Sequence, residues 1–291
     1  MPDEPSHLLL GAIARARPGY SPAFRKLADF VLNNALAVST MNIDELARAA
    51  GVSVATINRF AHRCGCDGYP PFRATLRKLY ESAYAPVEKL RLGLARDIGA
   101  AGVVRESLDS AAGNIRRSHE LLQDEQVRRA VELLANASQV YVAGLGVSAI
   151  HAAFAANCLE PFRAGVKDLA AMGGVESALR RINVLREGDL VIGIALPRYS
   201  RGIVELLGLA RQRGCKVLAL TDGPASPIAA LADTALYAVA EHPLLYASNA
   251  GMVALIEALG AALAQHTGDS LEAISAQTER LLPYLYLDEP P

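Results

Sequence analysis

The chain has 291 residues, 52% of them hydrophobic, a formal net charge of −1 and no tryptophan. That length fits two domains with sizeable cores, and the near-zero net charge excludes a protein that holds nucleic acid by bulk charge alone. Four cysteines are too few and too scattered for a disulfide framework. The longest apolar runs, such as GMVALIEALGAALA, carry a charge and fall short of the ~20 residues a bilayer span needs. The opening MPDEPSH lacks the basic start of a signal peptide, so a cytoplasmic location is expected.

The charge is divided unevenly. Residues 1–84 hold ten Lys/Arg and seven Asp/Glu, whereas the remainder holds nineteen and twenty-three. A mildly basic front on an acidic rear fits a DNA-reading head on a separate body. A first helix is predicted over Leu8–Ala16, broken by Pro18-Gly19. Ser21 then caps a second helix with Phe24, Leu27, Ala28, Val31 and Leu32 on one face. From Ile43, the residues Leu46, Ala47 and Ala50 form one apolar helical face, and Gly51 follows where a left-handed residue ends a helix cheaply. Val52 is the plug between two helices. Ser53 is a good N-cap for the second, whose inward face is Ile57, Phe60, Ala61 and Cys64. At 100° per residue its outward face carries Ala55, Arg59 and His62, flanked by Thr56, Asn58 and Arg63.

The residue types on that outward face suit a DNA groove. Arg59 can make bidentate bonds to a guanine edge, and Asn58 can reach an adenine. Ser53 and Thr56, at the helix N-terminus, can hold a phosphate. A turn over Gly65–Pro71 and a basic amphipathic helix over Phe72–Tyr84 are predicted next, with Arg73, Arg77 and Lys78 either on phosphates or on a solvated face. Cys64 and Cys66 form a C-x-C pair that no second pair or histidine cluster completes, so structural thiols and no metal are expected.

The KLADFVL helix, the IDELA–GVS–AT–NRF core and the G-x-x-G-Y-x-x-F-R tail occur in one order, and together they resemble the N-terminal domain of RpiR-type bacterial transcription regulators. The resemblance covers about the first third of the chain. It implies a sequence-specific binder of double-stranded operator DNA that acts as a homodimer or homotetramer. Dimeric heads would meet half-sites about one helical turn, ~34 Å, apart or multiples of it.

Residues 85–103, with Pro86, Gly93, Gly99 and Gly102, are predicted as a linker, partly helical around Val87–Asp97. Helical patterns follow over Val104–Leu122 and Asp124–Leu134. The body at 104–291 then alternates apolar strands (139–146, 165–168, 189–196, 216–222, 234–239) with helices (148–162, 202–214, 248–266). That alternation predicts βαβ units and a mostly parallel five-stranded sheet covered on both faces. Ligands in such sheets sit beyond the strand C-termini.

Three strand ends compete for that ligand. Gly144-Leu145-Gly146-Val147-Ser148 offers close backbone approach and a hydroxyl at a helix start. Its G-x-G continues to Ala149 rather than a third glycine, and no acidic residue closes the next strand at dinucleotide spacing, so no nicotinamide cofactor is expected. Pro197-Arg198-Tyr199-Ser200-Arg201-Gly202 brings two arginines and hydroxyls to another helix start, which suits a phosphate or carboxylate. Thr221-Asp222, before Ser226-Pro227, reads more readily as a cap.

The G-x-G-x-S at 144–148, the DLVIGIA strand, RGCKVLALTD and SPIAALAD match, in order, a SIS domain, the sugar-isomerase fold that binds phosphosugars. The resemblance spans roughly residues 125–265, and RpiR-type regulators join such a domain to a helix-turn-helix head. It carries one departure. The SIS pattern S-x-S-G-x-T, aligned on Asp189, places Ala195 and Pro197 at the two serines and Arg198 at the glycine, and only Ser200 keeps a hydroxyl, in the place of the threonine. The expected effector is therefore a small anionic carbohydrate-related metabolite, a sugar phosphate or a sugar acid, read by Gly144, Gly146, Ser148, Arg198, Tyr199, Ser200, Arg201 and Thr221. The competing reading is a phosphosugar isomerase with a helical appendage. Isomerisation needs a general base over the sugar carbon, and Glu160, Glu176, Glu241 and His242 lie in no motif that marks one.

Overall fold

A computed structural model of the protein describes residues 5–170, 173–268 and 270–285. The chain divides into two compact units, residues 1–92 and 93–291. The first is helical: α1 (Pro5–Ala16), α2 (Pro22–Thr40), α3 (Ile43–Ala50), α4 (Val54–Arg63) and α5 (Tyr69–Leu94). Its termini are set by local chemistry. Ser21 Oγ accepts the Phe24 N–H, and Asn42 and Glu45 exchange side-chain and backbone bonds in a capping box at the start of α3. Gly51 ends α3 with φ +61°, a left-handed conformation that glycine adopts without a Cβ penalty. Its core holds Leu27, Val31, Leu46, Ile57, Phe72 and Leu76, all fully buried, and Phe60 meets Tyr20, Phe24 and Phe72 edge-to-face.

α5 differs from its expected bounds at both ends. It starts at Tyr69, so Pro70 and Pro71 lie in its first turn, where a missing N–H has no intrahelical partner to lose. It then runs on to Leu94 through much of the expected linker, and α6 (Gly99–Glu120) begins after residues 95–98. Gly93 and Gly102 are thus helical residues. A single glycine costs a helix only about 1 kcal/mol, less than the weight a sequence reading gives it as a breaker.

The second unit continues with α7 (Asp124–Asn136), β1 (Val140–Gly144), α8 (Ser148–Leu159), β2 (Lys167–Asp168), α9 (Gly174–Arg181), β3 (Leu190–Ala195), α10 (Arg201–Gln212), β4 (Lys216–Thr221), β5 (Thr234–Tyr237), α11 (Ala250–Thr267) and α12 (Ser270–Leu281). The strands form one fully parallel sheet in the order β2-β1-β3-β4-β5. Side chains alternate across it. Val142, Ile192, Ile194, Leu218 and Leu236 pack with α7, α8 and α11, and Tyr141, Val191, Val217 and Ala219 pack with α9 and α10. α9 and α12 lie where no helix was expected, and a 3-10 turn at Ala229–Leu231 follows Ser226-Pro227.

The chain leaves β1 toward β2 on one side and returns to β3 on the other, so the C-terminal ends of β1 and β3 form the topological switch point where open parallel sheets leave a crevice. At the opposite end Asp233 ties β4 to the start of β5. Its carboxylate accepts the Val217 N–H at 2.9 Å and Lys216 Nζ at 3.1 Å, with Arg211 at 3.5 Å. Burial works against the charged form, but these donors outweigh it and hold the carboxyl below the usual aspartate range. A folded-state value below the unfolded one gives stability that is present above the ordinary aspartate pKa and lost as the pH falls through the folded value. Asp233→Asn is therefore expected to lower stability by ~1 kcal/mol at pH 7. In thermal melts the gap to the parent should narrow as the pH falls below the ordinary aspartate range.

Candidate nucleic-acid interface and ligand cleft

α4 presents the face that the sequence predicted, with two exceptions. Ala55, Arg59, His62 and Arg63 are exposed. Arg59 runs back along the helix, its Nε 3.4 Å from the Ala55 carbonyl oxygen. Ser53 caps α4 by accepting the Thr56 N–H at 3.2 Å, and the two hydroxyls lie 2.9 Å apart. Thr56 is buried in that cap, so its hydroxyl faces Ser53 and not a phosphate. Asn58 departs further. Its Oδ1 accepts the Tyr69 N–H at 3.1 Å and so caps the start of α5. The adenine contact expected of Asn58 needs that oxygen as an acceptor, so the structure gives it a structural part instead. The side chain lies at the edge of the outward face, where a one-residue rotation decides between groove and neighbour.

The flanking basic residues also separate. Arg73 is half-buried and donates to the Met41 carbonyl at 3.2 Å, next to Tyr69, whose hydroxyl shares that acceptor at 3.0 Å. Arg77 and Lys78 are exposed. Burial, with the neighbouring Cys66 adding, pushes the Cys64 thiol up to about 11, and burial raises Cys66 as well. Both stay protonated at neutral pH, which suits packing rather than metal binding. Among the described residues no group of three histidine, cysteine or acidic side chains is placed to hold a metal.

In the second unit a cleft of about 360 Å³ opens at the switch point, lined by Gly146, Ser148, Arg198, Ser200, Tyr246 and Asn249 together with apolar residues of the same loops. Gly146 takes φ +61° in the turn between β1 and α8. Ser148 is the first residue of α8, so its hydroxyl lies beside the open N–H groups of that helix. Ser200 caps α10, its Oγ accepting the Gly202 N–H at 3.2 Å. Arg198 stands with its guanidinium over the Tyr246 ring, 5.6 Å from the centroid.

Arg198 is the one non-glycine with positive φ among the described residues, at +73°. The backbone is thus left-handed at the position that the alignment on Asp189 matches to the glycine of the SIS pattern, and the residue here is arginine. That conformation costs a residue with a Cβ roughly 1–2 kcal/mol. It is tolerated here at the position that brings a guanidinium to the cleft.

Four other expected ligand residues do not line the cleft. Gly144 is buried at the end of β1 against the backbone of Ser148. Tyr199 turns away and donates to Asp222 Oδ1 at 2.7 Å; burial and that carboxylate raise its pKa. Thr221 is fully buried, donating to the Ala195 carbonyl at 2.6 Å, with the Ser226 hydroxyl 2.7 Å away. Arg201 is exposed on the first turn of α10. Conversely, Tyr246 and Asn249 come from the segment between β5 and α11, which carries no glycine or hydroxyl motif that marks it in sequence. Among the described residues the cleft lining offers hydroxyls, a guanidinium and a helix N-terminus. It can hold an anion.

A capped helix pair with an exposed basic second helix, joined to a parallel sheet with an anion-suited cleft, defines a two-domain DNA-binding regulator with a SIS-type sensor. Residues 8–83 match the family model for the helix-turn-helix domain of the rpiR family, and residues 133–265 match that for the SIS domain. The HTH-type transcriptional regulator HexR of Pseudomonas aeruginosa is 33% identical over 209 residues, 71% of this chain and 70% of that protein. The chain belongs to the RpiR family of transcription regulators.

Among solved structures, the sugar isomerase domain of an RpiR transcription factor from Sphaerobacter thermophilus covers 62% of this chain and 99% of its own, with 29% identity and a TM-score of 0.57. The Vibrio vulnificus NanR protein complexed with ManNAc-6P covers 96% and 100%, with 23% identity and a TM-score of 0.57. That second likeness is one of fold. Among the described residues no helix is long and apolar enough to cross a membrane.

Proposed function

We propose that α4 reads operator DNA through Arg59, with Ala55, His62 and Arg63 beside it, and that a small anionic carbohydrate-related metabolite in the switch-point cleft controls that binding. The effector is a sugar phosphate or a sugar acid. The observation that carries this reading is the convergence of Ser148, Ser200 and Arg198 on one cleft at the open N-terminus of α8. The bound NanR complex points the same way by fold alone. The effector acts by binding more tightly to one of two states, DNA-competent or incompetent, and shifts the population between them. The protein works in the cytoplasm as a homo-oligomer whose paired heads meet paired half-sites.

A thermal-shift panel of sugar phosphates and sugar acids, followed by operator gel shifts with each stabilising compound, tests the proposal. A compound that stabilises the protein and changes operator affinity is expected. Arg198→Ala should weaken its binding by roughly tenfold or more, the scale of a lost charge-assisted hydrogen bond, and leave operator binding without effector unchanged. Undiminished effector binding in that variant would move the site elsewhere.

A further inference from the structure

The fourth residue of α8 is a histidine with no assigned part. His151 is 3% exposed, and its Nδ1 is buried with no hydrogen-bond partner among the described residues. Native proteins leave few such atoms unpaired, and each calls for an explanation. Ser148, 7% exposed, lies three residues earlier on the same helical face and lines the cleft. Helix side chains lean toward the helix N-terminus and cover the turn before their own Cα, so a residue at the fourth position of α8 lies over the turn that carries Ser148. Burial lowers the His151 pKa with no charged neighbour contributing. The ring is therefore neutral at pH 7, with one donor and one acceptor.

We infer that His151 is a positioning residue of the effector site, which donates from Nδ1–H to the Ser148 hydroxyl when that hydroxyl donates to a bound anion. The inference rests on the cleft being the effector site. The order of donors follows from the ligand. An anion accepts, so Ser148 must give its proton outward, which leaves its oxygen free to accept from behind. Bonds in such a chain polarise one another and strengthen the outer one. Among the described residues the histidine Nδ1 is unpaired, so a Ser148 hydroxyl that reorients to give its proton to an anion and turns its oxygen to the ring also satisfies a buried group of the protein. This sets His151 apart from Arg198, which meets the ligand from the solvent side of the cleft.

Inorganic phosphate, titrated by calorimetry or ligand NMR against the full-length protein, is the probe. Ser148→Ala, His151→Leu and His151→Asn are compared, with the Ser148→Ala/His151→Leu double variant. His151→Leu is expected to weaken phosphate about five- to tenfold without lowering the melting temperature, because it removes an unpaired buried polar atom. His151→Asn, which places an amide donor near the Nδ1 position, should recover most of the affinity. In the Ser148→Ala background His151→Leu should have no further effect, since the histidine acts through that hydroxyl. Phosphate addition should also shift the ¹⁵N resonance of His151 Nδ1 toward a hydrogen-bonded donor.

Independent losses in the double variant, or unchanged phosphate affinity in His151→Leu while Ser148→Ala weakens it, overturn the role of His151 and leave the cleft assignment standing. Unchanged affinity in both Ser148→Ala and Arg198→Ala overturns the cleft assignment and this inference with it.

Discussion

Arg59→Ala should abolish sequence-specific operator binding while the melting temperature stays within about a degree of the parent. The side chain is exposed on α4, and its hydrogen bond among the described residues is to the carbonyl of Ala55 in its own helix, so its loss removes no core contact. A bidentate arginine–guanine pair is worth about 1–3 kcal/mol of discrimination, or up to about a hundredfold per half-site. Two heads on a paired site would double the free-energy loss. A footprint at fixed salt is the deciding measurement, because residual non-specific affinity depends steeply on ionic strength. Protection of the same bases by the variant at the parent concentration would show that α4 does not read the groove through Arg59.

The second large effect is expected at Gly144, and its cause is steric. A Cβ built there would lie 2.6 Å from the carbonyl carbon of Ser148 and closer still to its oxygen. Both are backbone atoms, so neither can swing aside, and the first turn of α8 must move as a unit. Gly144→Ala should lower stability by about 2–4 kcal/mol and remove the effector response, because Ser148 moves with that turn. Gly146→Ala is the contrasting variant. Nothing lies within 4 Å of a Cβ there, and only its φ of +61° resists the change, so a loss of about 1 kcal/mol is expected. Chemical denaturation of the two variants side by side decides the matter, and equal losses would show that conformation, not crowding, fixes both glycines.

The sequence exposes different parts of this molecule to different degrees. The sheet strands are uninterrupted apolar runs between glycines and polar turns, so each could be placed within a residue or two. The helix-turn-helix was legible because Gly51 and Ser53 are capping residues whose chemistry is local. What could not be read were choices settled across space. Asn58 looked free because nothing in its own helix claims it; the claimant is the Tyr69 N–H, eleven residues on. Tyr199 and Thr221 looked like ligand hydroxyls because they follow strands, yet Asp222, Ala195 and Ser226 take them first. Tyr246 reaches the cleft through a loop whose composition gives no hint of it. Pro70 was read as punctuation, although the first turn of a helix accepts it freely.

The left-handed Arg198 leaves the cleft in a metastable position with respect to mutation. One codon change to glycine would ease the backbone and discard the cation in the same step, so folding and the proposed ligand site pull in opposite directions there. If the proposed function holds, what the cation binds offsets that gain in folding. On that footing, a relative whose cleft no longer binds an effector should drift to glycine at this corner.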